Sequence, residues 1–172
     1  MTELAFVDAN VLIYAREPAQ ASKQTLAAQW LASLWREGAG RTSMQVLSEF
    51  YVNVTRKLLA PVAPEDAWHE VTTFFAWRPQ PINEPLLSRA RDIERRYRLS
   101  WWDSMIVAAA QLQDCAVLLT EDLQDGIAFG EVTVRSPFTL DVREPAAAYA
   151  ADPAASSRHR PRGRPKRETM KV

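Results

Sequence analysis

The sequence holds a single cysteine, Cys115, in 172 residues. That excludes a disulfide framework and suits a reducing cytoplasm. The thiol falls where a helix is expected to hand over to a strand, so it reads as a small buried side chain rather than a reactive one. Long apolar runs are missing too: no stretch approaches the ~20 residues that span a bilayer, and no basic segment precedes a signal-type apolar core at the start. The expectation is a cytoplasmic chain without membrane contact. Histidine is scarce. His69 is expected within a helix and His159 near the end of the chain, contexts that do not bring the two together and that argue against acid–base catalysis by a His pair. No internal repeat is present.

Net charge is also absent, with 21 basic and 21 acidic side chains, but the balance hides an asymmetry. Residues 153–172 carry seven Lys or Arg against one Glu, which leaves fourteen basic and twenty acidic side chains in the rest. An acidic body carries a basic tail, the pattern of an interaction arm or of a solvated tail held loosely against the body. The apolar fraction of 47% is enough for one domain with a real core.

What the chain does contain is organised around its start. Leu4-Ala5-Phe6-Val7 is an apolar run that stops at Asp8 and resumes as Ala9-Asn10-Val11-Leu12-Ile13. This is the pattern of a buried central strand followed by a helix, and it puts Asp8 at the strand's carboxyl end, where open α/β sheets place ligands. Residues 10–15 read as a short helix, and Pro18 interrupts it. Ser22 is a candidate cap for a helix with Leu26, Trp30, Leu31, Leu34 and Trp35 on one face, ended by Gly38 and Gly40. Arg41-Thr42 suits a brief edge strand. Ser43 offers a cap for a helix with Leu47, Phe50, Tyr51, Val54 and Leu58 on its stripe. Pro64 opens a further helix to about Trp77, and Pro79-Gln80-Pro81-Ile82 suits a short edge strand.

Asn83 or Glu84 begins another helix through Arg98, whose Arg and Glu residues read as a solvated face with i, i+4 pairing. Ser100 caps a helix that is apolar all round over residues 105–110, as a buried helix should be. Ala116-Val117-Leu118-Leu119 is a second buried strand that ends in Thr120-Glu121-Asp122, and Val132-Thr133-Val134 is a third. Strands alternating with helices imply right-handed βαβ units. The fold expected is a three-layer α/β/α sandwich around a short, mostly parallel sheet. From Glu144 the composition turns to Ala, Pro, Ser and Arg. The domain is therefore drawn at residues 1–142, a linker at 143–157 and a disordered basic tail at 158–172.

Four acids stand out, each with a plain structural explanation. Asp8 can cap the helix after its strand, and Glu49 lies off the apolar stripe on a flank with Gln45, Asn53 and Arg56. Asp103 is three residues after Ser100, a capping-box spacing. Asp122 can serve a turn, since Asp125-Gly126 follows. Taken together, the α/β reading sets Asp8 and Asp122 at the ends of neighbouring strands, with Asp103 and Glu49 near the same edge. Two carboxylates about 5 Å apart repel by about 3 kcal/mol at an effective dielectric of 20. A divalent cation removes that penalty, and oxygen ligands without Cys or His select Mg²⁺ or Mn²⁺. Such an ion with open positions points to phosphodiester or phosphoryl chemistry.

With these residues in view, the chain resembles the PIN-domain nucleases, and within them the VapC-type toxins of bacterial toxin–antitoxin pairs. The likeness rests on Phe6-Val7-Asp8-Ala9-Asn10-Val11-Leu12, on Ser48-Glu49-Phe50, on Leu99-Ser100-Trp101-Trp102-Asp103-Ser104-Met105-Ile106, and on Leu119-Thr120-Glu121-Asp122-Leu123-Gln124-Asp125-Gly126. It covers about residues 1–142 in order, with Val132 to Phe138 similar to the family's closing strand. The resemblance implies that Asp8, Glu49, Asp103 and Asp122 are the catalytic, metal-binding acids, with Glu121 or Asp125 as substitutes for Asp122. It implies that Asn10 and Thr120 orient ligands or water behind them. It also implies Mg²⁺- or Mn²⁺-dependent endoribonuclease activity leaving 5′-phosphate and 3′-hydroxyl ends, a VapB-type antitoxin as partner, and a homodimer.

The tail departs from that pattern. Arg160-Pro161-Arg162-Gly163-Arg164-Pro165-Lys166-Arg167 resembles an AT-hook, whose Arg-Gly-Arg-Pro centre enters the minor groove of A·T-rich DNA. Generic attraction to nucleic acid and a merely solubilising role are the other readings. Two alternatives to the RNase stay open at this point. One is a DNA-tethered nucleic-acid-binding protein whose PIN domain is catalytically weak. The other is a haloacid-dehalogenase-like phosphatase, disfavoured because that chemistry wants a second Asp where Asn10 stands.

Overall fold

A computed structural model describes residues 2–139 of the chain. The linker at 143–157 and the basic tail at 158–172, with Arg160, Arg162, Gly163, Arg164, Pro165, Lys166 and Arg167, lie outside the described residues, as does His159. The first strand, β1, covers Ala5–Val7 and is buried at every position. It pairs in parallel with β2 (Gly40–Arg41) on one side and β3 (Val117–Leu119) on the other. β5 (Val132–Arg135) continues the parallel sheet beyond β3, and β4 (Ala128–Phe129) adds an antiparallel edge. The order is β2-β1-β3-β5-β4. This is the expected α/β/α architecture with a short, mostly parallel sheet. β4 is the one strand that the sequence pattern does not announce.

Six α-helices among the described residues surround the sheet: α1 (Ala9–Tyr14), α2 (Ala21–Glu37), α3 (Met44–Arg56), α4 (Pro64–Thr73), α5 (Glu84–Tyr97) and α6 (Trp101–Leu112). They pack as two groups, with α1 against α2 and α3, α3 against α4, and α5 against α6. Their starts follow side-chain chemistry. Ser43, Asn83 and Ser100 each accept a hydrogen bond from a backbone N–H in the first turn, which satisfies a donor the helix cannot pair internally. α2 is the exception to the expected caps: it begins at Ala21, directly after a 3-10 turn at Pro18–Gln20, so Ser22 lies inside the helix and caps nothing. That turn hands its chain straight on, and no separate cap is needed.

Gly38 ends α2 in the left-handed conformation at φ 66°. Gly40 is required for another reason: a Cβ there would lie 2.4 Å from the Trp77 ring. Trp77 belongs to a 3-10 turn at Phe74–Trp77 that replaces the last part of the helix expected to run from Pro64. Its ring packs on Trp35 and Phe74 at 4.9 and 5.0 Å between centroids. The expected edge strand at residues 79–82 reduces to one bridge between Ser43 and Gln80. The flanking prolines supply no donors to prolong it.

Cys115 sits between α6 and β3, buried at 2% exposure, and desolvation pushes its thiol up to about 12. It is a packing residue, as its place in the sequence predicts. On α5 the expected i, i+4 pairing is absent among the described residues. Arg91 pairs with Glu94 at i, i+3 instead, and Arg89 donates to Gln111 across to α6.

Candidate active site

β1 and β3 run side by side in the same direction, with Val7 opposite Leu119. The next residues, Asp8 and Thr120, therefore emerge together at the carboxyl edge. The Asp8 N–H donates to the Leu119 carbonyl at 3.1 Å, and the Thr120 N–H to the Arg135 carbonyl at 3.1 Å. Both side chains are buried, Asp8 at 1% exposure and Thr120 at 0%. A carboxylate in such a place is costly unless its oxygens are satisfied.

They are satisfied locally. Asp8 Oδ1 accepts from the Ala9 N–H at 2.7 Å, at the amino end of α1, where backbone dipoles favour negative charge. Asp8 Oδ2 accepts from the Thr120 hydroxyl at 2.8 Å and from the Asn10 amide at 3.5 Å. Thr120 Oγ1, having donated its proton to Asp8, accepts from the Asp122 N–H at 3.1 Å and from Asn10 Nδ2 at 2.9 Å. Asn10 Nδ2 reaches Asp122 Oδ2 at 3.1 Å. The Asn10 amide thus bridges two carboxylates that are far apart in the chain, and the Thr120 hydroxyl ties the Asp8 carboxylate to the Asp122 backbone. The direction of every bond follows from acceptor-only carboxylates: Asn10 must turn its NH₂ towards them.

Asp103 is also buried, at 1% exposure. It is the third residue of α6, where its N–H donates to Ser100 Oγ at 3.1 Å and its Oδ2 accepts from the Ser100 hydroxyl at 2.7 Å. α6 leads into the amino end of β3 and so runs back along the sheet, which sets its own amino end towards the carboxyl edge. Glu49 lies on α3, which packs against α1. It is half-buried and accepts from Gln45 Nε2 at 3.0 Å, while its carbonyl accepts from Asn53. The structure therefore joins Asp8 to Asp122 through Asn10 and Thr120, with Ser100 bonded to Asp103 and Gln45 to Glu49. Among the described residues, no three Asp, Glu, His or Cys side chains form a ready metal cage.

The two substitutes for Asp122 are engaged elsewhere. Glu121 accepts from Lys23 at 2.6 Å, and Asp125 accepts from the Ser136 N–H at 2.8 Å and pairs with Arg135 at 3.8 Å. Lys23 and Tyr14 are site neighbours that sequence reasoning missed. Lys23 Nζ donates to the Tyr14 hydroxyl at 3.3 Å and stands over the Tyr14 ring at 4.4 Å. The Glu121 carboxylate raises the Lys23 pKa, and burial followed by Glu121 raises that of the Tyr14 phenol. No local motif signals a pair whose members are 98 residues apart.

The expected divalent cation meets a fitting set of donors. Asp8 and Asp122 present hard carboxylate oxygens, while the Thr120 hydroxyl is fully used in orienting them. Asn10 Oδ1 is a buried acceptor with no hydrogen-bond partner among the described residues, a state that proteins seldom leave unused. Cys115 is at the opposite end of β3, and His69 is exposed on α4.

No curated protein matches the chain. A family model does: that of the PIN domain, over residues 5–126. The matched span runs from β1 to the turn at Gly126 and includes Asp8, Glu49, Asp103 and Asp122. A mostly parallel sheet with Asp8 and Asp122 linked at its carboxyl edge and a match over most of the chain lead to one assignment: the chain belongs to the PIN domain family, whose fold is that of metal-dependent nucleases.

Proposed function

We propose that this protein is a Mg²⁺-dependent endoribonuclease, with Mn²⁺ as the alternative ion, and that it acts as the toxin of a VapC-type toxin–antitoxin pair. The observation that carries this reading is the Asp8–Thr120–Asn10–Asp122 knot. Two acids are held in fixed orientation at a sheet edge, and Asn10 Oδ1 beside them is left as a buried acceptor. In this reading Asp8, Glu49, Asp103 and Asp122 hold the ion. Once bound, it would activate a water molecule and offset the charge that builds up on the phosphodiester. The chain's own contribution is positional. Thr120 fixes the Asp8 rotamer, Asn10 spaces Asp8 from Asp122, and Ser100 holds Asp103 on the first turn of α6.

The partners belong to the same proposal. They are an RNA substrate, a VapB-type antitoxin, and a second copy of the chain, for which exposed Met44, Val52, Trp68 and Phe75 on and beside α3 and α4 offer apolar surface. The basic tail adds a contact with nucleic acid, A·T-rich DNA being the form its Arg-Gly-Arg-Pro centre suits. Asp8→Asn and Asp103→Asn should each lower cleavage of an RNA oligonucleotide in Mg²⁺ by at least about a hundredfold, with circular dichroism unchanged. Undiminished cleavage by both folded variants would overturn the assignment.

A further inference from the structure

The elbow between α5 and α6 carries a set of exposed cations, one of which, Arg96, lies over the Tyr97 ring at 5.3 Å. Arg95, Arg96 and Arg98 are exposed, and none of them forms an ion pair among the described residues, unlike Arg91 on the same helix. Two of them lie in the last turn of α5, where cations complement the helix dipole. Arg98 caps α5 in the left-handed conformation at φ 55°, which sets a third cation at the same carboxyl end. Trp102 follows four residues later and leaves 55% of its surface in water, beside Asp103 at 1%.

The topology sets these groups at the acid site's edge. α5 and α6 are packed neighbours joined only by Arg98, Leu99 and Ser100, so the carboxyl end of α5 and the amino end of α6 share one end of a hairpin. That end faces the carboxyl edge, because α6 runs back to the amino end of β3. Buried acids repel phosphates, so a strand brought to them needs cations outside the acid cluster. Guanidinium groups suit that task, and an exposed indole offers a stacking face to a base.

We infer that this elbow is the platform for the substrate strand: Arg95, Arg96 and Arg98 take backbone phosphates, Trp102 stacks on a base, and the strand so bound is single-stranded RNA. A base can lie on Trp102 only when it is not already stacked and paired in a duplex. This inference rests on the nuclease reading for its substrate, and it assigns residues that the reading leaves idle.

The test uses the full chain in EDTA, with a fluorescent single-stranded RNA oligonucleotide free of secondary structure, followed by anisotropy at several salt concentrations. Trp102→Ala should weaken binding by about fivefold to about 150-fold, the span of one base–aromatic stack. Trp102→Phe should recover most of the loss, and annealing a complementary strand should weaken binding to the wild type. The triple change Arg95→Ala, Arg96→Ala and Arg98→Ala should reduce the slope of log K against log salt by about 2. Unchanged affinity and unchanged slope in these variants would overturn the platform. Cleavage in Mg²⁺ or Mn²⁺ is read separately. A wild type that binds the strand without cutting it, with variants that lose binding, keeps the platform and removes the nuclease. A wild type that cuts, with variants that bind as well as it does, removes the platform alone.

Discussion

The two ends of β3 bury polar atoms to opposite purposes. At the amino end Cys115 is shut into the core, and its thiol is held neutral by desolvation. At the carboxyl end Thr120 is equally buried, yet its hydroxyl donates to the Asp8 carboxylate and accepts from the Asp122 backbone N–H. Burial alone therefore says little about chemistry. What separates an inert group from a site is whether the neighbours are apolar or are themselves charged groups in need of partners.

Breaking the carboxyl end should have the largest effect. Thr120→Val keeps the shape but removes the hydroxyl from Asp8, Asp122 and Asn10 together. Cleavage should fall by about 10- to 100-fold, the usual loss when a group that orients metal ligands is removed. Chemical denaturation should show a cost of about 1–3 kcal/mol for the unsatisfied partners. An active, equally stable Thr120→Val protein would mean that the two ends of β3 are alike after all.

The amino end should answer differently. Cys115→Ala should leave cleavage unchanged while costing about 1 kcal/mol in packing. Its signature lies in pH. The folded thiol titrates near 12 against an ordinary 9.0, so the unfolded chain loses this proton first. The stability that the thiol contributes is then intact below pH 9.0 and falls as the pH climbs towards about 12. Denaturant midpoints across that window should drop less steeply for Cys115→Ala than for the wild type.

The smallest effect is expected between these extremes, at the half-exposed Lys23–Glu121 pair. Lys23→Met should change stability by less than about 1 kcal/mol because water screens the pair. Cleavage should stay close to the wild type's, well short of the loss at Thr120.

Much of the fold was legible because each element carried its own local signal. Ser43, Asn83 and Ser100 announced helix starts, Gly38 a helix end, and two apolar runs the central strands. β4 was not legible: Ala128–Phe129 is a two-residue edge, too short for any alternation to register. The start of α2 is not legible from Ser22, since a cap residue carries no signal where one helical turn flows into the next. In the site, Asp8 could be placed from its strand and Asp103 from its cap. Asn10 and Thr120 entered by resemblance alone, since their hydrogen bonds cross more than a hundred residues. Lys23 and Tyr14 carried no motif at all.

The sheet's two borders, β2 and β4, are each two residues long, and the chain just beyond β2 is already occupied by Gln80, whose N–H donates to Thr42. So brief a margin cannot template an incoming strand, in native assembly or in fibril growth. Among the described residues, surface for a copy or partner is offered by the helices rather than by a strand edge.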